Sequence, residues 1–385
     1  MPPFDFNSPT TRIVFGPGRL AELGELAQSL GPIQRVLVVS DPGIVAAGHA
    51  PRGIAALQAV GMKTLLFDRV EENPTTAHVD VGVAVAREFR PHLIVGLGGG
   101  SSMDCAKGIN FLHSCGGRMQ DYWGVGKATG PMLPMIAVPT TAGTGSETQS
   151  FALISDAETH VKMACGDERA AFRIALLDPE LTLTQPPRVT ALTGIDAISH
   201  AIETFVTKRR NPMSLAFSSE AWRLLSQGLP RVLHEPENLE LRAAVQLGAC
   251  FAGLAIENSM LGAAHALANP LTAIYDIAHG EAIALMLPHV IRHNGQHIAP
   301  WYADLLHATH AQNGHVSAND EVTGLADFVS GLRQHAEMPA KLSQCGVERE
   351  RLPVLAANAS EQWTGTFNPV PMTTDDYLRL YEAAY

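Results

Sequence analysis

One aspartate and three histidines in the second half of the chain are of the types that bind a divalent metal. Asp196 and His200 stand four residues apart in TALTGIDAISHAIETFV, where the helical spacing of apolar residues places both side chains on one helix face. His265 and His279 follow in another apolar helical stretch, GAAHALANPLTAIYDIAHGEAIALMLPH. One carboxylate and three imidazoles form a full ligand set for Fe²⁺ or Zn²⁺, and buried polar groups require partners. The pattern predicts a metal centre, with four unrelated core or surface residues as the alternative.

A run of glycines, GLGGGSSMD, follows an apolar strand-like segment and opens a predicted helix. Successive glycines let backbone N–H groups approach a phosphate, and the N-terminus of a helix favours an anion. The run is not a complete G-x-G-x-x-G fingerprint, because a serine occupies the place of the last glycine. A simple tight turn between strand and helix is the alternative. The run extends from Gly96 to Asp104.

Asp41 closes the predicted strand RVLVVSD. An acid at the carboxyl end of a strand can accept hydrogen bonds from the adenosine ribose and repels a 2′-phosphate, which favours NAD over NADP. The usual fingerprint places this acid about twenty residues after the glycines, whereas Asp41 precedes them. An ordinary dinucleotide fold does not fit that order, and a turn-forming aspartate before Pro42 and Gly43 is the alternative.

A polar loop, PTTAGTGSE, follows the strand-like segment PMIAVP and carries Thr140, Thr141 and Thr144. Because the loop follows a strand at the same predicted edge as the glycine run, it is a candidate cofactor or substrate loop. A plain connector is the alternative. Lys162, in HVKMA, can reach a ribose or a phosphate, although a single lysine is more often a surface residue.

The two halves of the chain differ in their predicted secondary structure. Up to about residue 185, β-rich runs alternate with amphipathic stretches, which predicts an α/β fold with a parallel Rossmann-like sheet. Beyond Pro186 and Pro187 nearly every segment has helical spacing. We therefore expect an α/β domain over residues 1–185 and an all-α domain over residues 186–385.

Composition excludes several classes of protein. The 385 residues, 46% of them hydrophobic, are enough for a large buried core. The net charge of −11 is spread along the chain, which argues against nucleic acid or an anionic membrane as a partner. Five scattered cysteines indicate free thiols in a reducing compartment. The N-terminal sequence lacks the profile of a signal peptide, and no apolar run in the sequence reaches the length of a membrane span. We therefore predict a soluble, cytoplasmic protein.

Taken in order, the motifs resemble the group III, iron-containing alcohol dehydrogenases. The resemblance rests on GLGGGSSMDCAKGI, PTTAGTGSE, LLDPELT, TGIDAISHAIE, HALANPLTAIYDIAHGEAIALMLPHV and FNPVP…LYEAAY, and it runs from about residue 10 to residue 385. It implies a dehydroquinate synthase-like architecture, with a dinucleotide-binding domain over 1–185 and a metal-binding and substrate domain over 186–385. It also implies that NAD(P)H lies in the cleft between them beside a divalent metal.

The resemblance also assigns roles to individual residues. It implies metal ligands at Asp196, His200, His265 and His279. It implies cofactor contacts at Asp41, Gly98, Gly99, Gly100, Ser101, Ser102, Thr140, Thr141, Thr144 and Lys162, with NAD as the cofactor in preference to NADP. The implied enzyme is an alcohol dehydrogenase or aldehyde reductase that moves hydride between a small alcohol and nicotinamide. Fe²⁺, with Zn²⁺ as the alternative, polarises the substrate oxygen, no catalytic side chain is assigned beyond the metal site, and a homodimer is common in similar proteins.

Two positions depart from the family pattern. Asn269 stands where many members carry a further histidine, a candidate proton relay, and asparagine cannot titrate. Val370 stands where members often have the arginine of N-P-R. A glycerol dehydrogenase-like or maleylacetate reductase-like enzyme is the nearest alternative, and a non-catalytic assembly subunit is a further one. The intact set of four ligands favours the iron-type dehydrogenase.

Overall fold

The fold is that of a computed structural model, which describes residues 11–307 and 318–385. The first ten residues, on which the prediction about a signal peptide falls, lie outside the described residues. The chain separates into two compact units, one ending at Gln185 and the other beginning at Pro186. The first is an α/β fold, and the described residues of the second contain helices and no strand. The predicted fold class is therefore confirmed.

The first unit is built on a parallel sheet. Six strands run in the order β1-β9-β6-β4-β2-β3, and every pair in that sheet is parallel. A buried run such as RVLVV in β2 suits a sheet covered on both faces. The strands of the unit are β1 (Arg12–Phe15), β2 (Arg35–Val39), β3 (Lys63–Phe67), β4 (Leu93–Gly98), β5 (Gly124–Val125), β6 (Met135–Pro139), β7 (Phe151–Ser155), β8 (Lys162–Gly166) and β9 (Ile174–Leu177).

Helices cover both faces of this sheet. Because side chains alternate along a strand, Leu37 and Val39 of β2 enter one apolar cluster, whereas Val36 and Val38 enter the cluster on the opposite face. The α-helices of the unit are α1 (Leu23–Gln28), α2 (Pro42–Ala46), α3 (His49–Ala59), α4 (Thr76–Phe89) and α5 (Gly100–Cys115). The helix α5 begins directly after β4, so the glycine run forms the turn between them.

A second, three-stranded sheet was not predicted. It has the order β5-β8-β7, with β7 and β8 antiparallel. The register pairs Phe151 with Gly166, where a Cβ atom would lie 2.4 Å from the Phe151 ring. These strands are too short for a regular alternation of apolar residues to stand out in the sequence. Packing against the Phe151 ring requires a glycine at position 166.

The second unit contains eight α-helices among its described residues. They are α6 (Pro187–Val206), α7 (Pro212–Val232), α8 (Leu239–Glu257), α9 (Ala263–Tyr275), α10 (His279–His307), α11 (Ala318–His335), α12 (Leu352–Ser360) and α13 (Thr374–Ala383). The backbone of α10 departs from helical geometry at Ile298, so this element is two helices joined at a kink.

The helix α8 bears on the expectation that the chain has no membrane span. Among the described residues, this helix of 19 residues has a mean hydropathy of 1.4 and is long and apolar enough to cross a membrane. However, 67% of its apolar window is buried within the protein, as in the core helix of a soluble fold. Length and composition alone do not distinguish these two kinds of helix, so α8 is weak support for a membrane span. The five cysteines are all free.

Candidate metal centre and cofactor turn

Three helices of the second unit bring the four predicted metal ligands together. Asp196 and His200 lie one turn apart on α6, as their spacing predicts. His265 lies in the first turn of α9, and His279 is the first residue of α10. The side chains of Asp196, His200 and His265 are less than 10% exposed, whereas that of His279 is 27% exposed. The cluster is thus buried and has one more accessible side.

The three imidazoles surround one carboxylate oxygen. The Nε2 atoms of His200, His265 and His279 lie 3.2, 3.5 and 3.6 Å from Asp196 Oδ1. His200 Nε2 and His265 Nε2 are 3.2 Å apart. For ligand bonds of about 2.1 Å, the edge of a tetrahedral site is about 3.4 Å. These four distances match such an edge, and the group of ligand atoms that all lie within 4.8 Å of one another is Asp196, His265 and His279, without His200.

The surroundings of Asp196 Oδ1 also fit a bound cation. This oxygen is buried and has no hydrogen-bond partner among the described residues. A buried acceptor without a partner costs free energy, whereas a divalent ion bound by carboxylate and imidazole removes that cost. The residues present therefore fit Fe²⁺ or Zn²⁺.

The electrostatics of the cluster favour an ionised aspartate. Burial acts against ionisation, but the neighbouring rings of His200, His265 and His279 hold the pKa of Asp196 well below its usual range. Burial also acts to lower the pKa of His265, yet Glu203 and Asp196 together raise it to about 9. Both shifts show that the carboxylates of this cluster favour positive charge beside them.

Glu203 is a residue of this site that the motifs do not predict. It follows Asp196 and His200 on the same face of α6, and its Oε2 atom lies 2.6 Å from His265 Nδ1. A signal was present in the sequence, because residues 196, 200 and 203 form one stripe at helical spacing. Glu203 was nevertheless not predicted as part of the site, because a glutamate on the surface of a helix is common.

The predicted cofactor residues of the first unit converge at the carboxyl ends of three neighbouring strands. Asp41 follows β2, the glycine run follows β4, and Thr140 follows β6, and these strands are adjacent in the sheet. This adjacency explains the unusual order of the acid and the glycines in the sequence. Asp41 follows β2, which precedes β4 in the chain but lies beside it in the sheet, so Asp41 reaches the turn after β4.

Close contacts define this cofactor turn. The Ser102 hydroxyl lies 3.2 Å from Asp41 Oδ2, while Asp41 Oδ1 accepts a hydrogen bond from the Ile44 N–H and caps α2. A Cβ atom at Gly98 would lie 2.5 Å from Ser102 Oγ, so this position has no room for a side chain. The turn-forming and the cofactor interpretations of Asp41 are compatible, because each uses a different oxygen.

The polar loop PTTAGTGSE, residues 139–147 and here called the threonine loop, lies against the turn between β4 and α5. The Thr140 N–H donates to the Gly98 carbonyl at 3.0 Å. A Cβ atom at Gly99 would lie 3.3 Å from Thr141, and one at Gly100 would lie 2.8 Å from Thr144. The Ser101 hydroxyl accepts a hydrogen bond of 3.3 Å from the Asn73 N–H. The structure thus brings together all the predicted cofactor residues except Lys162.

Lys162 and Asp104 occupy different surroundings from those of the turn. Lys162 is exposed and begins β8, in the smaller sheet. Burial raises the pKa of Asp104, while Lys107, Ser146 and Lys162 act in the opposite direction. The helix α5 starts at Gly100, so Asp104 lies inside it and does not cap it. Its Oδ1 accepts a hydrogen bond of 2.6 Å from Ser146.

Both positions that depart from the family pattern have partners in the second unit. Asn269 lies one turn after His265 on α9, and its amide donates to Gln362 Oε1 at 3.0 Å. The Val370 carbonyl accepts a hydrogen bond of 2.8 Å from Asn368. Neither Asn269 nor Val370 supplies a titratable group.

Known proteins match this chain throughout its length. It is 33% identical over 389 residues to alcohol dehydrogenase 4 of Schizosaccharomyces pombe, covering 100% of this chain and 90% of that protein. It is 31% identical to the NAD-dependent methanol dehydrogenase of Bacillus methanolicus, covering 96% and 97%. The crystal structure of a 1,3-propanediol oxidoreductase is similar to it with a TM-score of 0.95 and 32% identity, covering 100% of both chains.

Family profiles give the same assignment to both units. The profile described as iron-containing alcohol dehydrogenase matches residues 9–179, and that described as Fe-containing alcohol dehydrogenase family, C-terminal, matches residues 190–385. The fold and these matches define an oxidoreductase that acts on CH–OH donors. The chain belongs to the iron-containing alcohol dehydrogenase family, which is NAD-dependent. The predicted family and class of enzyme are confirmed.

Proposed function

We propose that this enzyme oxidises small alcohols with NAD, and reduces the matching aldehydes with NADH, at a metal centre formed by Asp196, His200, His265 and His279. The observation that carries the proposal is the buried Asp196 Oδ1 atom, which three imidazole Nε2 atoms surround at 3.2 to 3.6 Å. Imidazole suits Fe²⁺ and Zn²⁺ equally, and the absence of thiolate ligands argues against a structural zinc site. We propose Fe²⁺ because the family is iron-containing, with Zn²⁺ as the alternative.

The chemistry divides between the bound groups and the chain. A bound divalent ion supplies Lewis acidity toward an alcohol or carbonyl oxygen, and bound NAD(H) supplies the hydride acceptor or donor. The four ligand residues fix where that Lewis acid sits. Burial of three of these residues excludes water from their side of the centre, which strengthens electrostatic interactions there.

We propose that the turn between β4 and α5 binds the cofactor phosphates. The first turn of α5 carries no acidic residue, and its N-cap, Gly99, makes no side-chain capping bond. The positive end of a 16-residue helix is therefore available to an anion. Asp41 at the neighbouring strand end accepts hydrogen bonds from a ribose and repels a 2′-phosphate, which favours NAD over NADP. Thr140, Thr141 and Thr144 complete the proposed contacts at this turn, and Lys162, which lies apart from it on β8, is proposed to contact a ribose or a phosphate of the cofactor.

Asn269 limits how the proton leaves. Its amide is hydrogen-bonded to Gln362 and does not titrate, so this position holds no general base. We propose that the proton passes through water or a ribose hydroxyl.

The proposed substrates are small primary alcohols and aldehydes. The relatives that support this class are the methanol dehydrogenase and the 1,3-propanediol oxidoreductase. Leu267 and Ile198, which lie two residues from the ligands in sequence, are aliphatic and buried. We further propose a cytoplasmic location, in keeping with five free thiols. We also propose a homodimer, because a homodimer is common in similar proteins. Light scattering on the purified enzyme tests the oligomeric state.

The decisive experiment is metal removal and restoration. The protein is purified anaerobically, stripped with a chelator, and assayed for NADH formation with a panel of short alcohols while Fe²⁺ or Zn²⁺ is added back. Activity that disappears with the metal and returns with one ion supports the proposal and identifies the ion. Activity that persists in protein verified to be metal-free contradicts it. Turnover restricted to polyols or carboxylated hydroxy acids would contradict the proposed substrate class.

A further inference from the structure

Glu203 is a buried carboxylate that the four-ligand centre leaves without an assigned role. Its side chain is only 4% exposed. Its Oε2 atom lies 2.6 Å from His265 Nδ1, and its Oε1 atom accepts a hydrogen bond of 2.7 Å from the Ala264 N–H. Both carboxylate oxygens of this α6 residue therefore contact the first turn of α9.

The start of α9 is built to receive this carboxylate. Its N-cap is Gly262, which has no capping side chain, so the orphan N–H groups need acceptors from elsewhere. Glu203 Oε1 takes the Ala264 N–H, and Asn368 Oδ1 takes the Ala263 N–H at 3.4 Å. A Cβ atom at residue 262 would lie 3.0 Å from Glu203 Oε1. Glycine at this position leaves room for the carboxylate.

We propose that Glu203 is a positioning residue that orients His265 for the metal ion, an inference that rests on the metal centre proposed above. An acceptor at 2.6 Å from Nδ1 places a proton on that nitrogen. The lone pair of Nε2, which lies 3.5 Å from Asp196 Oδ1, is then directed toward the ligand cluster. The ring cannot rotate without breaking the bond to Glu203.

Glu203 also adjusts the charge of the site. Histidine ligands are neutral when they bind a metal, so the negative charge that faces the ion comes from the carboxylates Asp196 and Glu203. A divalent ion balances both. Because the two carboxylates are buried, this balance favours binding of a dication over a monovalent ion.

Glutamine at this position is a sharp test, because it has nearly the shape of glutamate but only one acceptor. Two donors, the Ala264 N–H and the protonated His265 Nδ1, face the two carboxylate oxygens. If the amide oxygen faces Ala264, the amide NH₂ group forces Nδ1 to accept, and the proton moves to Nε2. If the oxygen faces His265, two donors oppose each other at Ala264. Either orientation weakens metal binding.

The experiment compares metal-free wild type with Glu203→Gln. The Kd for Zn²⁺ is measured by competition with a chromophoric chelator, so that no activity assay is needed. We expect binding about 10- to 100-fold weaker in Glu203→Gln. Glu220→Gln makes the same change on α7, where Glu220 is 41% exposed and paired with Arg223, and its Kd should equal that of wild type. A folded Glu203→Gln protein with wild-type Kd would overturn the inference.

A second measurement uses the wild-type protein and does not depend on the folding of a variant. In Zn²⁺-loaded protein with ¹⁵N-labelled histidine, we expect His265 to show a slowly exchanging Nδ1–H proton on a ring whose Nε2 resonance shifts on loading. A His265 ring that binds Zn²⁺ through Nδ1, or that has a rapidly exchanging Nδ1 proton, would overturn the role of Glu203. Wild type that binds no Zn²⁺ would overturn the metal centre itself, which is a separate outcome.

Discussion

The Ser102 hydroxyl lies 3.2 Å from the Asp41 carboxylate across 61 residues of sequence, because the strands preceding these two residues are neighbours in the parallel sheet. The contact holds one Asp41 oxygen at the glycine turn, while the other oxygen caps α2. One side chain therefore has a local structural role and a place at the proposed cofactor site.

The double role of Asp41 predicts that its substitutions have separable effects. Asp41→Gly should relax the preference for NAD over NADP, because a 2′-phosphate no longer meets a negative charge. Asp41→Asn should relax it as well while retaining a capping oxygen, and so avoid most of the cap loss of about 1 kcal/mol. The measurement is the ratio of kcat/KM for the two cofactors, together with thermal stability. An unchanged ratio in both variants would contradict the role of Asp41.

Metal binding should stabilise the protein through Asp196. At a free ion concentration about 100 times the Kd, binding adds about 2.7 kcal/mol to the free energy of unfolding. Asp196→Asn should abolish this gain, because the carboxylate charge at the centre of three imidazoles is lost. The measurement is the Tm with and without Zn²⁺. Asp327→Asn, at a surface ion pair with Arg292, should keep the full gain. An equal gain in Asp196→Asn would exclude that residue as a ligand.

Glu147 should make stability fall as pH rises. Burial raises its pKa from the usual 4.5 to about 7, although Lys107 acts in the opposite direction. Between these values the folded chain binds more protons than the unfolded chain, so the free energy of unfolding decreases with pH, by about 3 kcal/mol over the window. Denaturant unfolding of metal-free protein at pH 5 and pH 8 measures this. Glu147→Gln should have a flatter profile, and identical profiles would contradict the assignment.

Lys107 should be a major contributor to the stability of the threonine loop. Its ammonium is fully buried and donates to the Ser146 carbonyl, the Ser146 hydroxyl and the Phe151 carbonyl at 2.7 to 2.9 Å. Lys107→Met leaves these acceptors without their donor, and we expect a loss of about 3–5 kcal/mol in the free energy of unfolding. Exposed Lys127→Met should change it by less than about 0.5 kcal/mol. A change below about 0.5 kcal/mol in the free energy of unfolding of both variants would contradict a stabilising role for the buried hydrogen bonds of Lys107.

Features that depend on local periodicity could be predicted from the sequence. The spacing of Asp196 and His200 places them on one helix face wherever that helix packs, and the run ending in Gly98 reads as a buried strand before a turn. Features that depend on strand order could not be predicted. Nothing in the chain order shows that β2 and β4 are neighbours, so the relationship of Asp41 to the turn emerged only from the fold.

Other residues escaped prediction because their partners are distant. Glu203 becomes recognisable only when α9 packs against α6 and supplies His265 Nδ1. The first residue of α5 could not be located within a run of glycines and serines, so the place of Asp104 inside this helix was not predicted. The length and hydropathy of α8 fit both a buried core helix and a membrane span, and only the packing of the helix distinguishes the two.

The supports of α9 have a consequence for the order of events during synthesis. Asn368 binds the Ala263 N–H across 105 residues, and the Tyr381 hydroxyl binds the Leu267 carbonyl at 2.6 Å across 114 residues. The helix that carries His265 therefore lacks two of its buried anchors until Tyr381 has left the ribosome. We expect the nascent chain to bind the proposed metal ion only after translation has passed this residue.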